Sequence, residues 1–179
     1  MKTITTLKWL SAALMSALLL PLSSFAQNAP KLTDPEIASV AVTANQIDVN
    51  YATIAQRKSK DAAVLNFAKT MKTDHLGVIA MATKLVQKLH VTPRTNAVTK
   101  SLLEGEKKTK ATLNSKAGKA FNKAYIDNEV VYHEAVINAV ENVLIPQAQN
   151  AELKALLTNI LPALRTHLEH AKMVQKELK

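Results

Sequence analysis

From Asp34 onward, apolar residues recur every three or four positions, the period of a helix with one buried face. Thr33-Asp34-Pro35-Glu36 is a helix start, with a capping side chain, an early proline and acids favoured by the helix dipole. Ile37, Val40, Ala44, Ile47, Tyr51 and Ile54 then form one stripe that ends near Arg57-Lys58. A second helix starts around Asp61, with the seam Val64, Ala68, Met71, His75, Val78, Ala82, Leu85 and Leu89, and Val91-Thr92-Pro93 ends it. A third long helix is expected over about 119–145, with seam positions Ile126, Val130, His133, Ile137, Val140 and Leu144, and Pro146 closing it. A fourth is expected over about 150–178, with Leu153, Leu157, Ile160, Leu164, His167, Ala171, Val174 and Leu178 inward. Pro162 interrupts its backbone bonding without breaking the phase, so the pattern predicts one kinked helix.

Residues 94–118 carry a weaker pattern and predict a short peripheral helix near 96–114. Four long helices with one stripe each must bury those stripes together. The links between the first and second helices and between the third and fourth are short, which makes each pair antiparallel. The long link between the second and third can cross the whole length of the domain. The expected fold is therefore an all-α, ferritin-like four-helix bundle over 34–179, with a short extra helix in the crossover.

Residues 1–26 read as a secretory signal peptide. Lys2 and Lys8 precede an uncharged apolar stretch, Trp9 to Leu20, and Ser24-Phe25-Ala26 offers small residues at the positions a signal peptidase reads. The stretch is shorter than the ~20 residues a spanning helix needs. The expected product is an exported, periplasmic protein that begins with a flexible tail, 27–33, and does not span the membrane. Its net charge falls from +9 to +7 with the loss of Lys2 and Lys8.

Composition removes several function classes. With no cysteine there is no disulfide, thiolate metal site or cysteine nucleophile, and three glycines cannot supply a phosphate loop or dinucleotide fingerprint. After signal removal only five aromatics remain, Tyr51, Phe67, Phe121, Tyr125 and Tyr132, too few for base-stacking platforms. Scarce arginine, lysines without interleaved aromatics, and export argue against nucleic acid. No serine or threonine sits in a nucleophile elbow, and no close pair of seam carboxylates suggests glycosidase-like chemistry.

Three histidines break the apolar seams. His75, His133 and His167 stand on three different helices, each about 15–18 residues from its turn, which places them near mid-height at ~1.5 Å per residue. Neutral imidazoles are common ligands for zinc, copper, iron and nickel, and bundle cores are where such sites form, so the expected cofactor is a transition metal ion such as zinc, iron, copper or manganese. His170 and Glu129 are secondary candidate ligands. Asp74 and Glu134 are candidate outer partners, if they turn inward. The alternative is that the histidines satisfy one another, Tyr51, Tyr125 or a water and only fix the packing register. His90 reads as a charge at a helix C-terminus. The usual di-iron arrangement is not met. Lys72 and Val130 stand three residues before His75 and His133, and His167 before His170, where glutamates would be required, and mid-helix one has no glutamate. Hard carboxylate ligands are therefore expected to be missing, which speaks against oxidoreductase chemistry.

The stretch Phe67-Ala68-Lys69-Thr70-Met71-Lys72-Thr73-Asp74-His75, the Tyr125 to His133 spacing, and Leu161-Pro162-Ala163-Leu164-Arg165-Thr166-His167 with Ala171 resemble a bacterial family. It is the domain of unknown function numbered four-one-four-two, whose members are often labelled outer-membrane or periplasmic proteins. The resemblance spans about 34–178. It implies a secreted ferritin-like bundle with His75, His133 and His167 as motif histidines, and it implies no particular activity.

The positive charge is local. Residues 100–123 hold Lys100, Lys107, Lys108, Lys110, Lys116, Lys119 and Lys123 against Glu104 and Glu106. This face is either solvated or a dock for an anionic envelope lipid or an acidic protein. The leading expectation is a non-enzymatic protein with a histidine-lined, metal-binding core, and the family resemblance alone implies a role in envelope or metal stress. The alternatives are a docking module and a metal-dependent oxidoreductase.

Overall fold

The computed structural model describes residues 31–178, so the signal segment and most of the 27–33 tail lie outside the described residues. Every regular element among the described residues is helical, with no strand among them. The helices are α1 (Asp34–Lys58), α2 (Ala62–Lys88), α3 (Ala97–Asn114), α4 (Gly118–Ala139), a π-helical segment (Val140–Leu144), the short α5 (Ile145–Gln147) and α6 (Ala151–Glu177).

The ends follow from local chemistry. Glu36 Oε2 accepts from both the backbone N–H and the hydroxyl of Thr33 at the start of α1. Asp61, Asn96 and Asn150 each use a side-chain oxygen to cap the exposed N–H groups of α2, α3 and α6. The end of α2 wraps through His90, which takes φ +53, while the Val91 N–H bonds to the Val86 carbonyl and the His90 N–H to that of Gln87. His90 is thus part of a C-terminal cap.

α1 packs on α2, α4 on α6, α2 on α6 and α1 on α4. α3 runs along α1 in the same direction. The pairs Ser39–Thr99, Asn50–Glu106 and Lys58 with the carbonyls of Leu113 and Asn114 mark its path from one end of α1 to the other. The turn after α1 meets the start of α4 through Ser59–Asn122, and the start of α1 meets the α4–α6 turn through Asp34 and the N–H groups of Gln149 and Asn150. The two short turns therefore lie at opposite ends of the molecule.

The chain departs from the simple stripe pattern in several places. Leu32, in the predicted tail, is buried, and its N–H donates to Gln147 Oε1. The third long helix does not run unbroken to 145. It widens to π geometry at Val140, and Pro146 sits inside α5 rather than ending the element. The inward face of α4 runs through Asn122, Tyr125, Ile126, Glu129 and His133, while Val130 and Ile137 are half-buried; Val140 and Leu144, on the π segment, are buried again. A π turn holds more residues than an α turn, so it rotates the face that follows. α6 continues through Pro162.

The buried apolar residues form two groups. One, toward the α1–α2 turn, contains Tyr51, Phe67, Met71, Phe121, Tyr125 and Val174. The other, toward the α4–α6 turn, contains Ile37, Val40, Val140, Leu144, Leu157, Ile160 and Leu164. A polar layer lies between them.

Candidate metal centre

The polar layer consists of Asp48 from α1, His75 from α2, Glu129 and His133 from α4, and His167 from α6, all buried. The three imidazoles form a triangle, with ring centroids 5.7 Å apart for His75–His133, 5.2 Å for His75–His167 and 5.6 Å for His133–His167. One ligating nitrogen from each lies within 4.8 Å of the others, and the same holds for one atom each of Asp48, Glu129 and His133. Each group could hold a metal ion, and the two share His133.

Hydrogen bonds fix how the rings present themselves. Asn45 donates from Nδ2 to the Ala41 carbonyl, which leaves Oδ1 to accept from His75 Nδ1 at 2.7 Å. His133 Nδ1 donates to the Glu129 backbone carbonyl at 2.9 Å. His167 Nε2 donates to Asp74 Oδ2 at 3.0 Å. Each ring thus carries its proton on one nitrogen, held by an oxygen acceptor. The other nitrogens, His75 Nε2, His133 Nε2 and His167 Nδ1, are buried with no hydrogen-bond partner. All four carboxyl oxygens of Asp48 and Glu129 are equally unpartnered. His75 Nε2 and His133 Nε2 stand 3.2 Å and 3.6 Å from Asp48 Oδ2, close but not aligned as hydrogen bonds. Buried polar atoms are ordinarily paired, because each orphan costs about 1–3 kcal/mol. Seven orphans in one layer, all with lone pairs, are what a cation would satisfy. An oxygen acceptor on the outer ring nitrogen is also how metal-binding histidines are usually oriented.

Electrostatics agree with a site that is neutral when empty. Burial holds the Asp48 carboxyl up at about 8, and burial together with the charge of Asp48 holds Glu129 well above the carboxylate range. Burial brings His75 down to about 3, helped by His133 and His167, and His133 down to about 4. A divalent cation would reverse the carboxyl preference, since metal ligands bind deprotonated.

The expectation that hard carboxylates are missing is overturned by Asp48 and Glu129, which form a close buried pair beside the histidines. Glu129 is fully buried among them. Asp48 was not foreseen, because it falls beside the apolar stripe of α1. Its signal was the lone acid in the long stretch of α1 between Glu36 and Arg57. His170 stays out of the cluster, half-buried with its ring 5.1 Å from Phe67. Asp74 does turn in far enough to hold His167, whereas Glu134 is exposed and pairs with Lys172. The histidine partners are Asn45, a backbone carbonyl and Asp74, not Tyr51 or Tyr125.

A cavity of about 330 Å³ adjoins the layer on the side of the aliphatic core, bordered by α1, α3, α4, the π segment and α6, with α2 contributing His75. Asn45, Asp48, His75 and His133 line one end of it, and the rest of the wall is apolar apart from Tyr132.

These features define an all-helical protein with a buried layer of histidines and carboxyl groups. Residues 20–174 match the family described as Domain of unknown function (DUF4142), and the chain belongs to that family. No curated protein and no solved structure matches the chain.

Proposed function

We propose that this protein binds a divalent transition metal in the layer formed by His75, His133, His167, Asp48 and Glu129, within a ferritin-like four-helix bundle. The observation that carries the reading is the set of seven buried, unpartnered nitrogen and oxygen atoms facing one another, with each imidazole proton tied elsewhere. Three imidazoles with two carboxylates suit zinc, iron or manganese, and also divalent copper; the sulfur ligands that select monovalent copper are missing from the set. The untagged chain from Gln27 onward, offered each metal and dialysed, should retain one to two equivalents by elemental mass spectrometry. His75→Ala and His133→Ala should lose them with helicity intact. No retained metal, or unchanged retention in both variants, overturns the reading.

A metal-dependent oxidoreductase gains support from Asp48 and Glu129, which supply the carboxylates that redox iron and manganese sites use. Its test is metal-dependent turnover of peroxide or dioxygen. A docking module for an anionic envelope lipid or an acidic protein gains less. Lys110 and Lys123 are paired with Glu106 and Asp127, and Lys100, Lys107, Lys108 and Lys119 are exposed. Among the described residues no helix is long and apolar enough to cross a membrane. Export to a Gram-negative periplasm, with cleavage after Ala26 and a role in envelope or metal stress, completes the proposal. The export rests on the composition of 1–26, and its check is the N-terminal sequence of the protein recovered from the periplasmic fraction, whereas the stress role rests on family-level analogy alone.

A further inference from the structure

The cavity touches only part of the polar layer. Asp48, His75 and His133 face it, while Glu129 and His167 do not line it. The other polar groups at that end are already committed, Asn45 to His75 and to the Ala41 carbonyl, and Tyr132 through its hydroxyl to the Ala44 carbonyl. The free polar atoms that meet the cavity are therefore lone pairs on a would-be metal centre, and the remaining wall is hydrocarbon. Small residues open the space, Ala41 and Ala44 on α1 and Ala135 and Ala139 on α4. Ala135 is exposed, and Val98, Leu102 and Val136 near it are half-buried, so the mouth lies between α3 and α4.

A space that is apolar along its length and coordinating at one end fits an amphiphile with a metal-binding head. An apolar cavity of about 150 Å³ takes benzene, so this one takes a body of roughly ten to twelve carbons. At the cavity end the layer offers imidazole lone pairs and the Asp48 carboxyl, so an oxyanion would enter only against a cation already held there.

We propose that the cavity binds a medium-chain carboxylate, its hydrocarbon chain between α1, α4 and α6 and its carboxylate on the Asp48–His75–His133 side of the bound metal. This rests on the metal reading above. The ligand's chain length is set by the cavity and its head by the cation.

The test uses the metal-loaded chain from Gln27 onward, with metal content measured on the same samples. Titration calorimetry with straight-chain carboxylates should show affinity rising about fourfold per added methylene, then levelling near ten carbons. Decanoate should bind at least tenfold more weakly after chelator treatment. With cobalt as the metal, decanoate should shift the visible spectrum. Ala139→Phe should weaken decanoate binding at least tenfold at unchanged metal content, and Val98→Trp at the mouth provides a second variant should the first fail to fold. Stoichiometric metal with no decanoate binding overturns this inference and leaves the metal reading standing. Equal binding with and without metal, or an unmoved cobalt spectrum, overturns the assignment of the head group. A chain that retains no metal removes both.

Discussion

The two halves of the core are built differently. Toward the α1–α2 turn the interior is aromatic and full. Phe67 meets Tyr125 edge-on at 6.0 Å, Phe121 stacks on Tyr125 at 6.3 Å, and Tyr51 meets Tyr132 edge-on at 5.7 Å. Toward the α4–α6 turn it is aliphatic, and the alanines of α1 and α4 leave the 330 Å³ space. The same helices run through both halves, so the difference lies in side-chain volume and not in architecture. The packed half borders the histidine layer on one side, and the open half leaves a volume against it on the other. Close packing is the normal state of a protein interior, so a void against a layer of unpartnered polar atoms is the departure on which the metal and ligand proposals rest.

Breaking the packed half should have the largest effect. Phe67→Ala or Phe121→Ala removes a fully buried ring and should cost about 3–5 kcal/mol, read as a drop in the midpoint of urea unfolding. A cost below about 1 kcal/mol would mean that this half is as loose as the other. Next in size is the metal. Its binding at a hundredfold excess over the dissociation constant should raise unfolding stability by about 2.7 kcal/mol, and this gain should vanish in His75→Ala.

A smaller effect sharpens the contrast through pH. In the metal-free protein Asp48 stays protonated up to about 8, against 3.8 in an unfolded chain, so its contribution declines as pH rises through that window. His75 and His133 stay neutral down to about 3 and 4, against 6.5 unfolded, so their contribution is present above 6.5 and is lost as pH falls below it. Glu129, held up by burial and by Asp48, adds a second contribution of the same sign as that of Asp48, so two carboxyl contributions oppose two histidine contributions between about 4 and 6.5. Above 6.5 the carboxyl contributions remain, and the melting temperature in chelator should fall from pH 6.5 to 8 by the equivalent of at least about 1 kcal/mol per pH unit. Asp48→Asn should make that decline shallower, with the Glu129 part remaining, and thermal melts across the range check it. The smallest expected effect is in the open half. Ala139→Leu fills void without displacing packed atoms and should change stability by under about 1 kcal/mol, whereas a cost of 2 kcal/mol or more in a urea melt would show that the space is already occupied or collapsed.

How much of this was legible in the chain depends on what each residue had to reveal. The helix start at Thr33 was readable at once from its capping residues, and the starts at Asp61 and Asn150, placed from the apolar pattern, prove to be side-chain caps as well. The three histidines were readable because each replaces an apolar residue at a helical seam position. Asp48 was not, because α1 is enclosed by α2, α4 and α3 together and buries residues around most of its circumference, Ser39 and Asn45 among them. A stripe pattern assumes one buried side, and a helix covered on three sides defeats it. The π segment was hidden for a related reason, since one wide turn shifts the phase without changing the composition. The cavity depends on the sizes of side chains that face one another across helices, and periodicity does not weigh size.

The most direct measurement is an anomalous-diffraction map of crystals grown with the retained metal. The account predicts a peak at bonding distance, about 2.0–2.2 Å, from His75 Nε2, His133 Nε2 and His167 Nδ1, or shared between His133 and the carboxylates of Asp48 and Glu129. A metal bound elsewhere on the chain, or a layer closed by water with its lone pairs all hydrogen-bonded, would contradict it.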